Sequence, residues 1–325
     1  MPLLNDFLKA GRNVFLSPEY LPLIPLTYKA QIPSTNECAS ALVGTDGFYR
    51  MNRERHFGAI LLSANPGSLP LATALLESQR WELTDVSPFG FLIIPRRHIE
   101  DSCPPTNSWT PPDPGTLASL LPSEDSRARW LIATAANLIA IKRMNDAETL
   151  LKSAAVLGKE RSWLLGTEAS LAASRGRWEE AAVLSAEAVK RNPSNISARE
   201  ILIRSLTESG HPDEALDEAR RLTRQCRDTE TLFLLARAAN TANSWNEEIS
   251  ALQGLVDLGK KHNLPLGASL TYMGQALAKD GQRGAALRAF RAALDSPELS
   301  EEQRQMIRQL ADHITAENPP DRSPR

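Results

Sequence analysis

The stretch Arg175-Gly-Arg-Trp-Glu-Glu-Ala181 decides the fold, because two other segments repeat its pattern. Ser209-Gly-His-Pro-Asp-Glu-Ala215 keeps the glycine, the acidic pair and the alanine, and Lys142-Arg-Met-Asn-Asp-Ala147 keeps the alanine. The final alanines of the three segments are separated by equal intervals of 34 residues. In a region rich in alanine and leucine, equal intervals of this length predict a tandem helical repeat.

The copy that begins at Ser162 shows the repeat most clearly. Small side chains at Ala169 and Ala181 allow two helices to approach closely, and Gly176 accepts the positive φ of a helix end. Pro193 stops the second helix because it cannot continue the hydrogen-bond pattern. We therefore predict two antiparallel helices in this copy. Its other pattern residues are Leu165, Ala172, Trp178 and Ala188.

This pattern resembles the tetratricopeptide repeat (TPR), and the resemblance covers about 190 residues. It implies about five helical hairpins, which begin near Ala128, Ser162, Ile196 and Thr229 and after an insertion around Lys260 to Pro265. In the fourth copy, Glu248 replaces the expected alanine. Ser300-Glu-Glu-Gln303 matches a helix-start capping box and predicts a terminal capping helix. The apolar face of that helix contains Met306, Ile307, Leu310 and Ile314.

The first hundred residues predict a small α/β domain of strand, helix and strand. The predicted fold class is therefore α+α/β, with this domain followed by an α-helical TPR solenoid. Prolines from Pro104 to Pro122 predict an extended linker. We expect a domain over 1–100, a linker over 101–126, repeats over 127–317 and a disordered tail over 318–325. The predicted elements of the first domain are strands at Asn13 to Leu16, Phe57 to Ser63, Trp81 to Val86 and Phe89 to Ile94, and helices near Glu19 to Leu26 and from Leu69.

The order and character of the amino-terminal elements also resemble the soluble α/β tails of some bacterial polytopic glycosyltransferases. The segments that carry this resemblance are Val14-Phe-Leu-Ser-Pro18 followed by Tyr20, Gly58-Ala-Ile-Leu-Leu62, and Trp81-Glu-Leu-Thr-Asp85 leading to Phe91-Leu-Ile-Ile-Pro-Arg96. The acidic residues with which such enzymes work belong to their membrane portion, so the resemblance implies no activity here. It implies an accessory or detached tail of a membrane glycosyltransferase system.

Composition and motifs argue against several functions. A formal net charge of -2 argues against nucleic-acid binding, and three widely spaced cysteines argue against a disulfide framework. The five histidines lack ligand spacing, so we expect no metal and no cofactor. Gly44-Thr-Asp-Gly47 is interpreted as a turn, and Asn65-Pro-Gly-Ser68 as an ordinary strand-to-helix junction. We find no signal peptide and no membrane span, so the default location is cytoplasmic.

The exposed positions of the inner helices would determine what the repeats bind. Arg204, Arg237 and Lys279 could donate to a carboxylate-bearing peptide, with Phe233 as an apolar anchor. A solvated polar face is the alternative for each residue. The candidate groove residues are Glu200, Arg204, Phe233, Arg237, Asn240, Gln275 and Lys279, with Glu230 beside them.

The leading hypothesis is a non-catalytic scaffold that binds a protein or peptide partner, and a membrane-protein partner is compatible with it. The alternative is the accessory glycosyltransferase tail at the cell envelope. A third hypothesis, an enzyme with its site in the α/β domain, lacks a catalytic motif.

Overall fold

A computed structural model describes residues 14–16, 45–57, 59–65, 67–96, 109–121 and 123–316. The chain divides into two compact units, Met1–Ser174 and Arg175–Arg325. The helix predicted near Glu19 to Leu26 and the tail predicted over 318–325 lie outside the described residues.

The first unit contains a four-stranded sheet with the order β1-β2-β4-β3. Strand β1 (Val14–Leu16) pairs in parallel with β2 (Ala59–Ser63), while β4 (Gly90–Pro95) pairs antiparallel with both β2 and β3 (Trp81–Ser87). Helix α2 (Leu69–Glu77) follows β2 and contacts β3. The predicted α/β element order is confirmed for these strands and this helix.

Helix α1 (Thr45–Arg55) occupies a region that we predicted to begin with a turn at Gly44 to Gly47. The structure contradicts this turn from its second residue, because the helix already includes Thr45, and no helix was predicted over Thr45–Arg55. Phe48 explains why the segment is ordered: its ring is fully buried and lies 5.8 Å from the Trp81 ring and 6.0 Å from the Phe57 ring, measured between centroids. Aromatic burial of this kind stabilises a helix on a sheet.

The segment predicted as an extended linker is partly structured. Helix α3 (Pro114–Leu120) begins at a proline and is capped by Asp113, whose carboxylate accepts from the backbone N–H groups of Gly115 and Thr116 at 2.9 Å and 3.0 Å. Trp109 is buried, and its backbone N–H donates to the backbone carbonyl of Leu83 at 3.1 Å. The prediction was wrong here because proline at the first position of a helix favours the helix.

Three further helices complete the first unit: α4 (Glu124–Ala140), α5 (Met144–Leu157) and α6 (Arg161–Ser174). Helix α4 contacts α5, α6 and β3, and the side-chain amide of Asn137 donates to the Ser87 carbonyl at 2.8 Å. Buried residues of the sheet and of these helices form one continuous hydrophobic cluster. The first helical repeat therefore shares its core with the sheet.

The second unit is a run of α-helices joined by short turns, in which each helix contacts the next. The turn after α8 shows the connection: Gly210 has a φ of 82°, and the N–H of His211 donates to the Leu206 carbonyl at 2.8 Å. These helices form a TPR-like array. They are α7 (Trp178–Arg191), α8 (Ile196–Glu208), α9 (Pro212–Gln225), α10 (Thr229–Thr241), α11 (Trp245–His262), α12 (Gly267–Lys279), α13 (Arg283–Leu294) and α14 (Glu301–Ala316).

Helix α14 has the predicted capping box. The N–H of Gln303 donates to the Ser300 hydroxyl at 3.2 Å, and the N–H of Ser300 donates to the Gln303 side-chain carbonyl at 2.8 Å. Ile307 and Ile314 are buried in one cluster with residues of α12 and α13. The terminal helix thus covers the apolar face of the last hairpin, as a repeat array requires.

Candidate functional site

Helices α10, α11 and α12 of the second unit enclose a cavity of about 450 Å³. Helices α10 and α12 supply most of the wall, and α11 adds Glu248 and Leu252. The start of α10 is fixed by a reciprocal capping box between Asp228 and Thr231. The complete lining is Phe233, Ala236, Arg237, Asn240, Thr241, Glu248, Leu252, Tyr272, Gln275 and Lys279.

Five of the seven candidate groove residues lie together in this lining: Phe233, Arg237, Asn240, Gln275 and Lys279. The other two, Glu200 and Arg204, lie on α8 and are not part of it. Whether these side chains bind a partner stays a prediction, but the repeat register placed most of them in one cavity.

Sequence reasoning missed Tyr272, which is 48% exposed, although it lines the same cavity as the 43% exposed Phe233. Tyr272 precedes Gln275 by three residues and Lys279 by seven, which places all three on one face of α12. That spacing could have identified it. The two aromatic rings therefore reach the cavity from different helices.

Two of the three basic side chains that we predicted to donate to a carboxylate of the partner already have partners within the protein. The guanidinium of Arg237 donates to the carboxylate of Glu208. The Lys279 ammonium lies 4.9 Å from the centroid of the Trp245 ring, and that ring does not line the cavity. The Glu208 carboxylate offsets the charge of Arg237, whereas the ring contact leaves the charge of Lys279 in place.

An acidic cluster lies on α8 and at the start of α10. Burial raises the pKa of Glu200, the carboxylates of Glu230 and Asp228 raise it further, and Arg204 opposes the shift. Mutual repulsion among like charges raises a carboxyl pKa in this way. We call Glu200, Asp228 and Glu230 the acidic cluster.

Glu248 is the only acidic side chain in the cavity lining, and it is only 5% exposed. Its Oε1 accepts a hydrogen bond from the side-chain amide of Asn240 at 2.8 Å. Its Oε2 is buried and has no hydrogen-bond partner among the described residues. Burial raises the pKa of Glu248, while the Asn240 hydrogen bond and the Lys279 charge oppose that shift.

A second cavity, of about 540 Å³, lies among α7, α8 and α9. Glu218 in its lining accepts hydrogen bonds from Arg221, which also lines the cavity, at 2.5 Å and from Arg199, which does not, at 3.2 Å. Among the described residues, no Phe, Tyr or Trp side chain lines this cavity, in contrast to the cavity around Glu248.

Two kinds of site are absent from the described ranges. No helix there is long and apolar enough to cross a membrane. The same residues contain no group of three or more His, Cys, Asp or Glu side chains arranged to hold a metal ion.

Fold and cavity together define a TPR-like helical-repeat fold with a polar and aromatic cavity formed by α10, α11 and α12. Among solved structures, the chain is similar to YrrB, described as a TPR protein with an unusual peptide-binding site, at 17% identity over 60% of this chain and 97% of that one, with a TM-score of 0.49. It is also similar to MamA from Desulfovibrio magneticus RS-1, at 17% identity over 53% and 96%, with a TM-score of 0.47.

A thermophilic TPR protein of Thermus thermophilus matches at 15% identity over 57% of this chain and 98% of that one, with a TM-score of 0.42. No family model and no curated protein matches the chain. The resemblance of the amino-terminal region to glycosyltransferase tails is not shown by these comparisons and stays an expectation.

Proposed function

We propose that this protein is an interaction scaffold that binds a partner polypeptide in the cavity formed by α10, α11 and α12. The observation that carries the proposal is the pair of half-exposed rings, Phe233 and Tyr272, on separate helices around one cavity. Neither ring belongs to the buried hydrophobic clusters of the second unit. Exposed aromatic side chains in a concave site are typical anchors of protein interfaces.

Polar groups beside the rings suit a peptide. The side-chain amides of Asn240 and Gln275 line the cavity, and amides can both donate to and accept from a peptide backbone. An apolar wall with a few convergent polar groups is the usual composition of a binding site. A partner side chain could therefore be buried between the rings while its backbone is held by the amides.

Affinity capture with the full chain tests the proposal. The double variant Phe233→Ala, Tyr272→Ala removes both rings, and we expect it to lose the partners that the wild-type protein captures from lysate of the source cells. Val156→Ser is the control, because Val156 is 87% exposed and lies in the first unit. Equal capture by the double variant and by the control would exclude this cavity as the binding site.

A further inference from the structure

One position distinguishes the fourth repeat from the others. The second helices of the repeats are α5, α7, α9, α11 and α13, and their fourth residues occupy equivalent positions. In four of these helices that residue is an alanine with no exposed surface, and in α11 it is Glu248. The four alanines are Ala147, Ala181, Ala215 and Ala286.

Helix packing does not explain the glutamate. A small side chain fits this position in the other repeats, whereas a buried carboxylate must give up its hydration. Asn240 compensates only one of the two oxygens, so Oε2 of Glu248 stays buried without a partner among the described side chains and backbone groups. A buried acceptor without a donor is costly, so such a group requires an explanation.

We propose, on the basis of the function proposed above, that the cavity recognises a lysine or arginine side chain of the partner, with Oε2 of Glu248 accepting its hydrogen bond. An ionised carboxylate only accepts hydrogen bonds, and a cationic donor gives the stronger bond to such an acceptor. A positive charge within hydrogen-bonding distance of the carboxylate also stabilises its ionised form, which burial alone disfavours.

The side-chain amide of Asn240 is oriented so that its carbonyl oxygen is available to accept a hydrogen bond from a cation. Because the Glu248 carboxylate can only accept, Asn240 must turn its NH₂ group toward Oε1, which leaves its own carbonyl oxygen as a second acceptor. Gln275 supplies a further side-chain carbonyl in the same lining. An ammonium or guanidinium group, which has several N–H donors and no acceptor, matches this set.

The rest of the surroundings agree with a basic side chain. Phe233 and Tyr272 can cover its aliphatic stem and attract its charge through their ring faces. Of the two cations in the lining, Arg237 is held by Glu208 and Lys279 by the Trp245 ring. The acidic cluster on α8 and α10 adds negative charge that favours the approach of a basic segment.

Selection from a random linear peptide library displayed on phage tests the inference, with the immobilised full chain as bait. Parallel selections use the wild-type protein, Glu248→Gln and Asp257→Asn. Asp257 is an exposed acid on the same helix and outside the cavity, so its variant is the charge-matched control. We expect lysine or arginine to be enriched at one peptide position by the wild type and the control, and not by Glu248→Gln.

The selected peptides are then synthesised, and their dissociation constants are measured by fluorescence anisotropy. We expect Glu248→Gln to weaken binding about tenfold or more, because a charge-assisted hydrogen bond is lost, and Asp257→Asn to change it little. Enrichment of aspartate or glutamate, or equal affinity for wild type and Glu248→Gln, would overturn the inference.

The same selection separates this inference from the proposed function. Peptides that bind the wild type but not the Phe233→Ala, Tyr272→Ala variant, and that show no basic preference, would leave the proposed function standing and remove the role of Glu248. Selected peptides that bind the double aromatic variant as tightly as the wild type would remove both.

Discussion

The fourth and fifth repeats follow the same two-helix plan but fill their helix crossings with different chemistry. In the fifth repeat the crossing is tight: a Cβ on Gly274 would lie 2.5 Å from Cε1 of Phe290, and Ala286 has no exposed surface. In the fourth repeat the polar pair Asn240 and Glu248 lies beside a cavity. The fifth crossing is built for packing alone, whereas the fourth places a buried polar pair beside a cavity.

The largest effect should come from moving the glutamate into the fifth repeat. Ala286→Glu would bury a carboxylate where the position equivalent to Asn240 is Ala278, so no amide could compensate it. We expect a loss of about 3 to 5 kcal/mol in the free energy of unfolding, measured by urea denaturation. Arg288→Glu, at an exposed site on the same helix, is the control, and a similar loss in both variants would show that the two repeats do not differ in this respect.

Removal of the amide partner should have the next largest effect. Asn240→Ala leaves both oxygens of Glu248 without a protein donor, and we expect a loss of about 2 kcal/mol in unfolding free energy. The control is the same change in a Glu248→Ala background, where the loss should largely disappear. If the loss is the same in both backgrounds, Asn240 stabilises the fold independently of Glu248.

A single methyl group tests the tight crossing of the fifth repeat. Gly274→Ala forces the Phe290 ring to shift, and we expect a cost of about 1 to 2 kcal/mol. Gly284→Ala is the matched control, because its added Cβ would meet only Arg288 Nη1, at 3.8 Å. The thermal unfolding midpoint should fall for the first variant and not for the second. A fall of similar size in both variants would show that the cost does not come from the contact with Phe290.

The smallest effect is a pH-dependent one at Glu248. Because burial raises the pKa of Glu248 in the folded state, the folded protein holds this proton more tightly than the unfolded chain, and ionisation costs stability. Glu248→Gln should therefore match the wild type below the ordinary pKa of 4.5 and become relatively more stable as pH rises through the raised value. Urea unfolding across this pH range measures the difference, and a variant that becomes less stable as pH rises would contradict the assignment.

Much of the repeat region could be predicted from the sequence, because the 34-residue spacing of Ala147, Ala181 and Ala215 sets the helix register. The same register placed Phe233, Arg237 and Asn240 in the observed cavity. It also showed that Glu248 breaks the alanine pattern. It could not show that Glu248 is buried with one oxygen unpaired, because that depends on the side chains of three helices.

The elements that were not predicted correctly are local structures stabilised by contacts with residues that are distant in the sequence. The proline-rich segment was predicted to be extended, yet Asp113 caps a helix there and Trp109 is buried against the sheet. Helix α1 was not predicted, because Gly44 to Gly47 favours a turn, while burial of Phe48 against Trp81 favours the helix. The local conformational preference of a segment is overridden by such contacts when a large ring is buried.

The most direct test of the role of Glu248 is a double-mutant cycle with a selected peptide. Its four dissociation constants pair wild type and Glu248→Gln with a peptide that carries its lysine and with the same peptide carrying norleucine. We expect the two changes to be coupled by about tenfold, because either one removes the same hydrogen bond. Independent effects, with a coupling of less than about twofold, would contradict recognition of the basic side chain by Glu248.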